Sequence, residues 1–162
     1  MLSSSDLKQR LISLGVASAK DIVGCSTEEI ERLQKTSKMR LPDAYLQFLR
    51  VAGKRAGRFL LDVEIFYDDV DRLNQKAFEK LELWEEGKLR LPDNSFVFSM
   101  RYGEQFMFFV VDGQRSDPEI FHYYEGSGFF KKVANSFWEV IEGEILDLER
   151  FKNNHPDAPY WK

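Results

Sequence analysis

Through the first half of the chain, apolar residues recur three or four positions apart; in the second half they gather into short, dense runs. That change of period predicts helices followed by strands. Leu7, Leu11 and Leu14 mark a first helix, capped by Ser4 or Ser5 and stopped near Gly15. In CSTEEIERL, Ser26 and Glu29 have the spacing of a capping box, and Ile30 and Leu33 mark the buried side of the helix that follows. LPDAYLQFLRVAG predicts a third helix, with Pro42 in its first turn, Tyr45, Phe48, Leu49 and Ala52 on one face, and Gly53 as the stop. RFLLDVEIF alternates, with Phe59, Leu61, Val63 and Ile65 set against Arg58, Leu60, Asp62 and Glu64, and reads as one edge strand. A fourth helix begins near Asp68 and Asp69, whose charges suit the positive end of its dipole. Val70, Leu73, Ala77, Leu81 and Trp84 form its inner face.

From Asn94 onward SFVFSMR, EQFMFFVVD and EIFHYYE are separated by short polar turns, the spacing of an antiparallel meander. FFKKVA is a further short strand. SFWEVIEGEILDLERF is a long closing helix, with Ser136 as its cap, Glu139 three positions on, and Phe137, Ile141, Ile145 and Leu148 on one side. The breaker-rich tail NNHPDAPYWK reads as irregular. The run Phe106 to Val111 does not alternate, so it predicts a central strand buried on both faces, with a contact surface as the alternative for one face only. Helices, then antiparallel strands, then a helix define an α+β fold: one domain over residues 1–162, with its core at about 26–151 and an irregular tail at 152–162.

Charge and composition narrow the function classes. Lys and Arg number 23 against 27 Asp and Glu, a balance that disfavours general nucleic-acid binding. Fourteen Phe, six Tyr and three Trp supply a bulky core and material for an aromatic contact surface. One cysteine forbids an intrachain disulfide, and the N-terminus lacks the basic-then-apolar layout of a signal peptide. No segment reaches membrane-span length. A cytoplasmic protein is expected.

Candidate chemistry is sparse. His122 lies in an aromatic strand and His155 in the tail, neither in a nucleophile-elbow or zinc pattern, and His122 reads as a packed strand residue. Cys25 precedes a helix cap but has no partner motif. GKRAGR lacks the Gly-Lys-Ser/Thr ending of a phosphate loop. Neither an enzyme nor a bound cofactor or metal is expected. DVEIFYDDVD holds five carboxylates and no cation between Asp62 and Asp71. It reads either as a solvated edge strand and helix start or as an acidic patch around Phe66 and Tyr67 that suits a basic partner.

Two stretches resemble the SUKH superfamily, which includes fungal cell-wall synthesis regulators and bacterial immunity proteins against secreted toxins. In the first, Ile30, Leu41, Pro42, Tyr45, Phe48, Leu49 and Gly53 match the family's helix, Leu-Pro and Tyr-x-x-Phe-Leu segment. In the second, Gly103, Phe106, Phe109, Asp117, Pro118, Tyr124, Ser136 and Phe137 fall in place, so that the likeness covers about residues 26–145. Where many bacterial members carry a His-Gln-Gly-Tyr-like turn, this chain has Arg101, Tyr102, Gly103 and Glu104. The resemblance implies an antiparallel sheet flanked by helices and a non-enzymatic module that binds a protein. That partner is a toxin domain, possibly a nuclease, if the chain is an immunity protein; a regulatory scaffold for an endogenous protein is the alternative. The expected partner-binding residues are Asp62, Glu64, Tyr67, Asp68 and Asp69, with Arg101, Tyr102 and Glu104 as a second patch.

Overall fold

The computed structural model describes residues 4–161, with side chains from Asp6 onward. In chain order the elements are α1 (Ser4–Leu14), β1 (Ile22–Val23), α2 (Thr27–Ser37), α3 (Asp43–Ala52), β2 (Arg55–Ala56), β3 (Val63–Glu64), α4 (Tyr67–Trp84), β4 (Ser95–Arg101), β5 (Gln105–Val110), β6 (Ile120–Tyr124), β7 (Lys131–Ala134) and α5 (Phe137–Asn154). A short 3-10 turn, Pro159–Trp161, follows. β3 to β7 form one antiparallel sheet in sequence order, and β1 pairs with β2 in a small second sheet. The result is a single α+β domain closed by a long C-terminal helix.

Capping explains several boundaries. The Ser26 hydroxyl accepts from the Glu29 amide while the Glu29 carboxylate accepts from the Ser26 amide at 2.8 Å, the reciprocal pair expected of a capping box. At α5, Ser136 accepts from the Glu139 amide, but the Glu139 carboxylate reaches the Asn135 amide, one residue earlier than in that motif. A third acceptor arrives from a distant loop: Asp117 takes the Phe137 amide at 2.6 Å. Pro42 stands at the N-cap of α3, one residue before the first turn where it was expected. Gly53 is the C-cap of α3 in ordinary right-handed backbone. Its role is close approach, since a Cβ there would lie 2.5 Å from the Leu49 carbonyl oxygen and 2.6 Å from Cys25 Sγ. The cap expected for α1 falls on side chains outside those described.

The sheet is covered on both faces, and the run at 106–111 is its centre. Phe109 pairs with Phe96 in register and stacks on Phe96 and Phe98. These rings meet Tyr45 of α3, and Phe98 also meets Phe137 of α5. On the opposite face Phe106 and Phe108 pair with Tyr123 and Phe121, and Tyr123 stacks on Trp84 at the end of α4. Phe106, Phe108 and Phe109 are all buried, whereas Met107, Val110 and Val111 are half-buried. Phe96 and Phe98, two positions apart, both face α3 and α5, and the register shift between Val97 and Ser99 leaves Phe98 as the extra residue of a bulge. Asn74 of α4 accepts from the Val97 amide inside this irregularity.

Two expectations fail locally. RFLLDVEIF is not one strand: residues 57–62 form turns, and only Val63–Glu64 pairs with the sheet edge. The cause is Leu60, which takes left-handed backbone (φ 58) and turns inward, throwing Leu61 out to 67% exposure. The tail is also more ordered than its breakers suggest. Helix α5 runs on through Asn154, and the final turn is held by Tyr160, whose hydroxyl donates to the Arg58 carbonyl at 2.6 Å.

Candidate functional site

Strands β4 and β5 are joined by Arg101-Tyr102-Gly103-Glu104, closed by a hydrogen bond from the Glu104 amide to the Arg101 carbonyl at 3.2 Å. Both central residues have positive φ, 55 for Tyr102 and 70 for Gly103, as a type I′ turn requires, and with Arg101 opposite Gln105 the residue Glu104 is left over in the loop. Glycine is at ease there; tyrosine is not, and the turn holds Tyr102 in a conformation L-residues disfavour. Tyr102 is 71% exposed, and its hydroxyl donates to Asp62 at 3.2 Å.

Asp62 joins the two patches read separately from the sequence. Its carboxylate lies 3.2 Å from Arg101 Nε, while the Arg101 guanidinium reaches Glu144 of α5 at 3.3 Å. The Arg101 Nε–H is buried and points off the line of a hydrogen bond to Asp62, so that contact is a charge attraction. The other expected residues lie apart. Glu64 is ion-paired with Lys76 of α4. The Tyr67 hydroxyl donates to the Glu29 carbonyl at 3.2 Å, tying the start of α4 to α2. Asp68 is exposed in the first turn of α4, and Asp69 lies 3.9 Å from Arg72. Burial, reinforced by the charge of Glu64, raises the Asp69 carboxyl above its usual range. Glu104 is exposed at the hairpin.

Beside Tyr102 runs a groove of about 610 Å³, lined by Leu60, Leu61 and Asp62 on one side and by Glu144, Leu148, Phe151 and Tyr160 on the other. Leu61, Tyr102 and Phe151 are exposed apolar side chains at one place, a concentration that marks interaction surfaces. The wall from α5 and the tail escaped the sequence reading. Phe151 and Tyr160 were the available signal, two aromatics flanking a His-Pro breaker.

Beneath the groove a cavity of about 30 Å³ lies between sheet and α5, lined by Arg101, Gln105, His122 and Glu144 among others. That space takes about two waters or the tip of one side chain. Gln105 Oε1 is 2.9 Å from His122 Nε2. Burial, then the charges of Lys131 and Arg101, hold the imidazole below its usual pKa. Cys25 is buried, and burial pushes its thiol up to about 12.

The acidic stretch continues into α4. Between Asp62 and Glu86 nine carboxylates stand against three cations, in a chain whose overall balance is −4. Among the described residues no helix is long and apolar enough to cross a membrane.

Fold and site together define a small α+β domain with a doubly covered sheet and an aromatic, apolar surface at one hairpin. The chain belongs to the SMI1 / KNR4 family (SUKH-1), which it matches over residues 24–143. No curated protein matches it. Glu144, Leu148, Phe151 and Tyr160 lie beyond the matched segment, so one wall of the groove is built from sequence outside the family pattern.

Proposed function

We propose that this domain is a non-enzymatic, cytoplasmic immunity protein that neutralises a toxin domain by binding it directly. The observation that carries the reading is the Asp62–Arg101–Tyr102 cluster, which places an exposed tyrosine, held by its turn and by Asp62, at the mouth of an apolar groove. A rigid aromatic beside a desolvated pocket is the kind of anchor that carries most of an interface's affinity. The nine carboxylates between Asp62 and Glu86 would steer a basic partner, such as a nuclease surface, towards that anchor. Family membership supports the same reading. So do the buried Cys25 thiol, which burial keeps protonated, and the pairing of His122 with an amide, neither of which suits a nucleophile or its base. Asp68→Lys combined with Asp69→Lys tests the steering component: slower association and a flatter salt dependence are expected.

The decisive test is growth rescue. A toxin-like C-terminal domain encoded beside this gene is expressed in a bacterial host, with and without this protein. Rescue that requires complex formation, and that is lost with Tyr102→Ala in a folded variant, supports immunity. A neighbour that is harmless, or that kills regardless, overturns it. The second reading is a regulatory scaffold for an endogenous protein, favoured by the SMI1 / KNR4 description of the family. It would use the same groove, and an isolated housekeeping locus would point to it.

A further inference from the structure

A second groove, of about 650 Å³, runs between the end of α2 and the outer face of α3. Lys35, Lys38, Arg40 and Arg50 line it, with Asp43 as the sole carboxylate. All four cations are exposed, and none has a carboxylate within ion-pairing distance, a state they share with other surface cations of the described residues; what distinguishes them is that they line one groove together. Four cations against one carboxylate at this groove run against the sign of a chain whose net charge is −4.

Local structure holds them together. Lys38 ends α2 in left-handed backbone (φ 57), turning the chain sharply, and the Gln34 side chain accepts from the Leu41 amide at 3.0 Å. The turn between α2 and α3 is therefore pinned, which fixes Lys38 and Arg40 relative to α3. Asp43, Leu46 and Arg50 follow at i, i+3 and i+7 on one face of α3. Lys35 and Arg50 also suit the negative ends of their own helix dipoles, but Arg40 stands at the opposite end of α3 and has no such role. Met39 and Leu46 supply an apolar floor.

We infer that this groove binds an acidic peptide segment of a partner protein, its carboxylates on the four cations and an apolar side chain over Met39 and Leu46. Charge complementarity selects the sign of the occupant. The floor selects a peptide over a nucleic acid: Met39 and Leu46 offer contact to an apolar side chain, and no aromatic side chain lines the groove for base stacking. This site is separate from the Tyr102 groove and does not depend on the immunity reading.

The test is a titration of the isotope-labelled full-length protein, followed by amide chemical shifts, with a synthetic glutamate-rich peptide carrying one leucine. A single-stranded oligonucleotide and inorganic phosphate are the comparison probes. Shifts confined to about residues 34–50, weakening steeply as salt rises and reduced roughly tenfold in affinity by Lys35→Glu with Arg50→Glu, are expected. The exposed positions should leave the fold intact; Lys38→Glu with Arg40→Glu serves if the first pair does not. Peptide shifts that are absent, that fall elsewhere, or that survive both variants would overturn the inference. Tighter binding of the oligonucleotide at the same residues would overturn it too, by assigning the groove to nucleic acid.

Discussion

The centre of the sheet and its β3 edge obey different rules. Around Tyr45 five phenylalanine rings, of Phe48, Phe96, Phe98, Phe109 and Phe137, lie within 6.5 Å of its centroid, all of them buried. There, apolar content alone dictates what happens, because every side chain has somewhere dry to go. At the edge, RFLLDVEIF has the alternation of a strand, yet only two of its residues pair with the sheet. Leu60 gains more by turning into the space between sheet and α5 than the segment would gain from continuing a strand with one free edge. The turn that results exposes Leu61 and brings Asp62 to Arg101 and Tyr102. The central strands are determined by their own composition; the edge is determined by what lies beneath it.

Substitution should break this contrast first at Phe109 and Leu61. Phe109→Ala removes a ring packed against Tyr45, Phe96 and Phe98 and should cost about 3–5 kcal/mol in urea denaturation. Leu61→Ala should stay within about 0.5 kcal/mol of wild type while weakening partner binding. Equal losses at the two positions would mean that Leu61 is buried and the edge turn is wrong.

Tyr45 sharpens the picture inside the core. Its hydroxyl is buried without a hydrogen-bond partner among the described residues, and burial raises its pKa above the usual tyrosine range. Tyr45→Phe keeps the ring contacts and removes the unpaired oxygen, so stability should hold or rise by about 1 kcal/mol. A loss of that size would show that the hydroxyl has a partner, such as an ordered water.

At the hairpin the prediction separates stability from binding. Tyr102→Gly relieves a left-handed tyrosine at the loss of an exposed side chain and one hydrogen bond to Asp62, and should change stability by less than about 1 kcal/mol. The same variant should abolish high-affinity partner binding. Calorimetry of the free protein and of the complex would distinguish the two effects.

The smallest effect is pH-dependent. Burial and the charges of Lys131 and Arg101 disfavour the imidazolium of His122, so the folded state binds its proton less tightly than the unfolded state. Stability from this residue is complete above the unfolded value of 6.5 and drains away as pH falls below it. His122→Gln should flatten that part of the pH–stability curve. A His122 resonance titrating above 6.5 would contradict the buried geometry.

Much of this molecule was determined by sequence alone. The strands at 95–101 and 120–124, the cap residues Ser26 and Ser136, the inner face of α4 and the central strand with Phe106, Phe108 and Phe109 buried on its two faces are local or composition-driven, so period and caps suffice to find them. The likeness to the SUKH superfamily rests on the same segments, since Leu41, Pro42, Tyr45, Phe48 and Phe109 are core positions. Tertiary structure decided the rest. Asp62 meets Arg101 across 39 positions and Arg101 meets Glu144 across 43, and no local pattern encodes such a meeting. The left-handed turn at Leu60, the anchoring of Tyr160 on Arg58 and the gathering of Lys35, Lys38, Arg40 and Arg50 have the same origin. Helices and strands follow from interactions within a few residues; a groove exists only where separate elements, each free to be solvated alone, are brought side by side by a shared core.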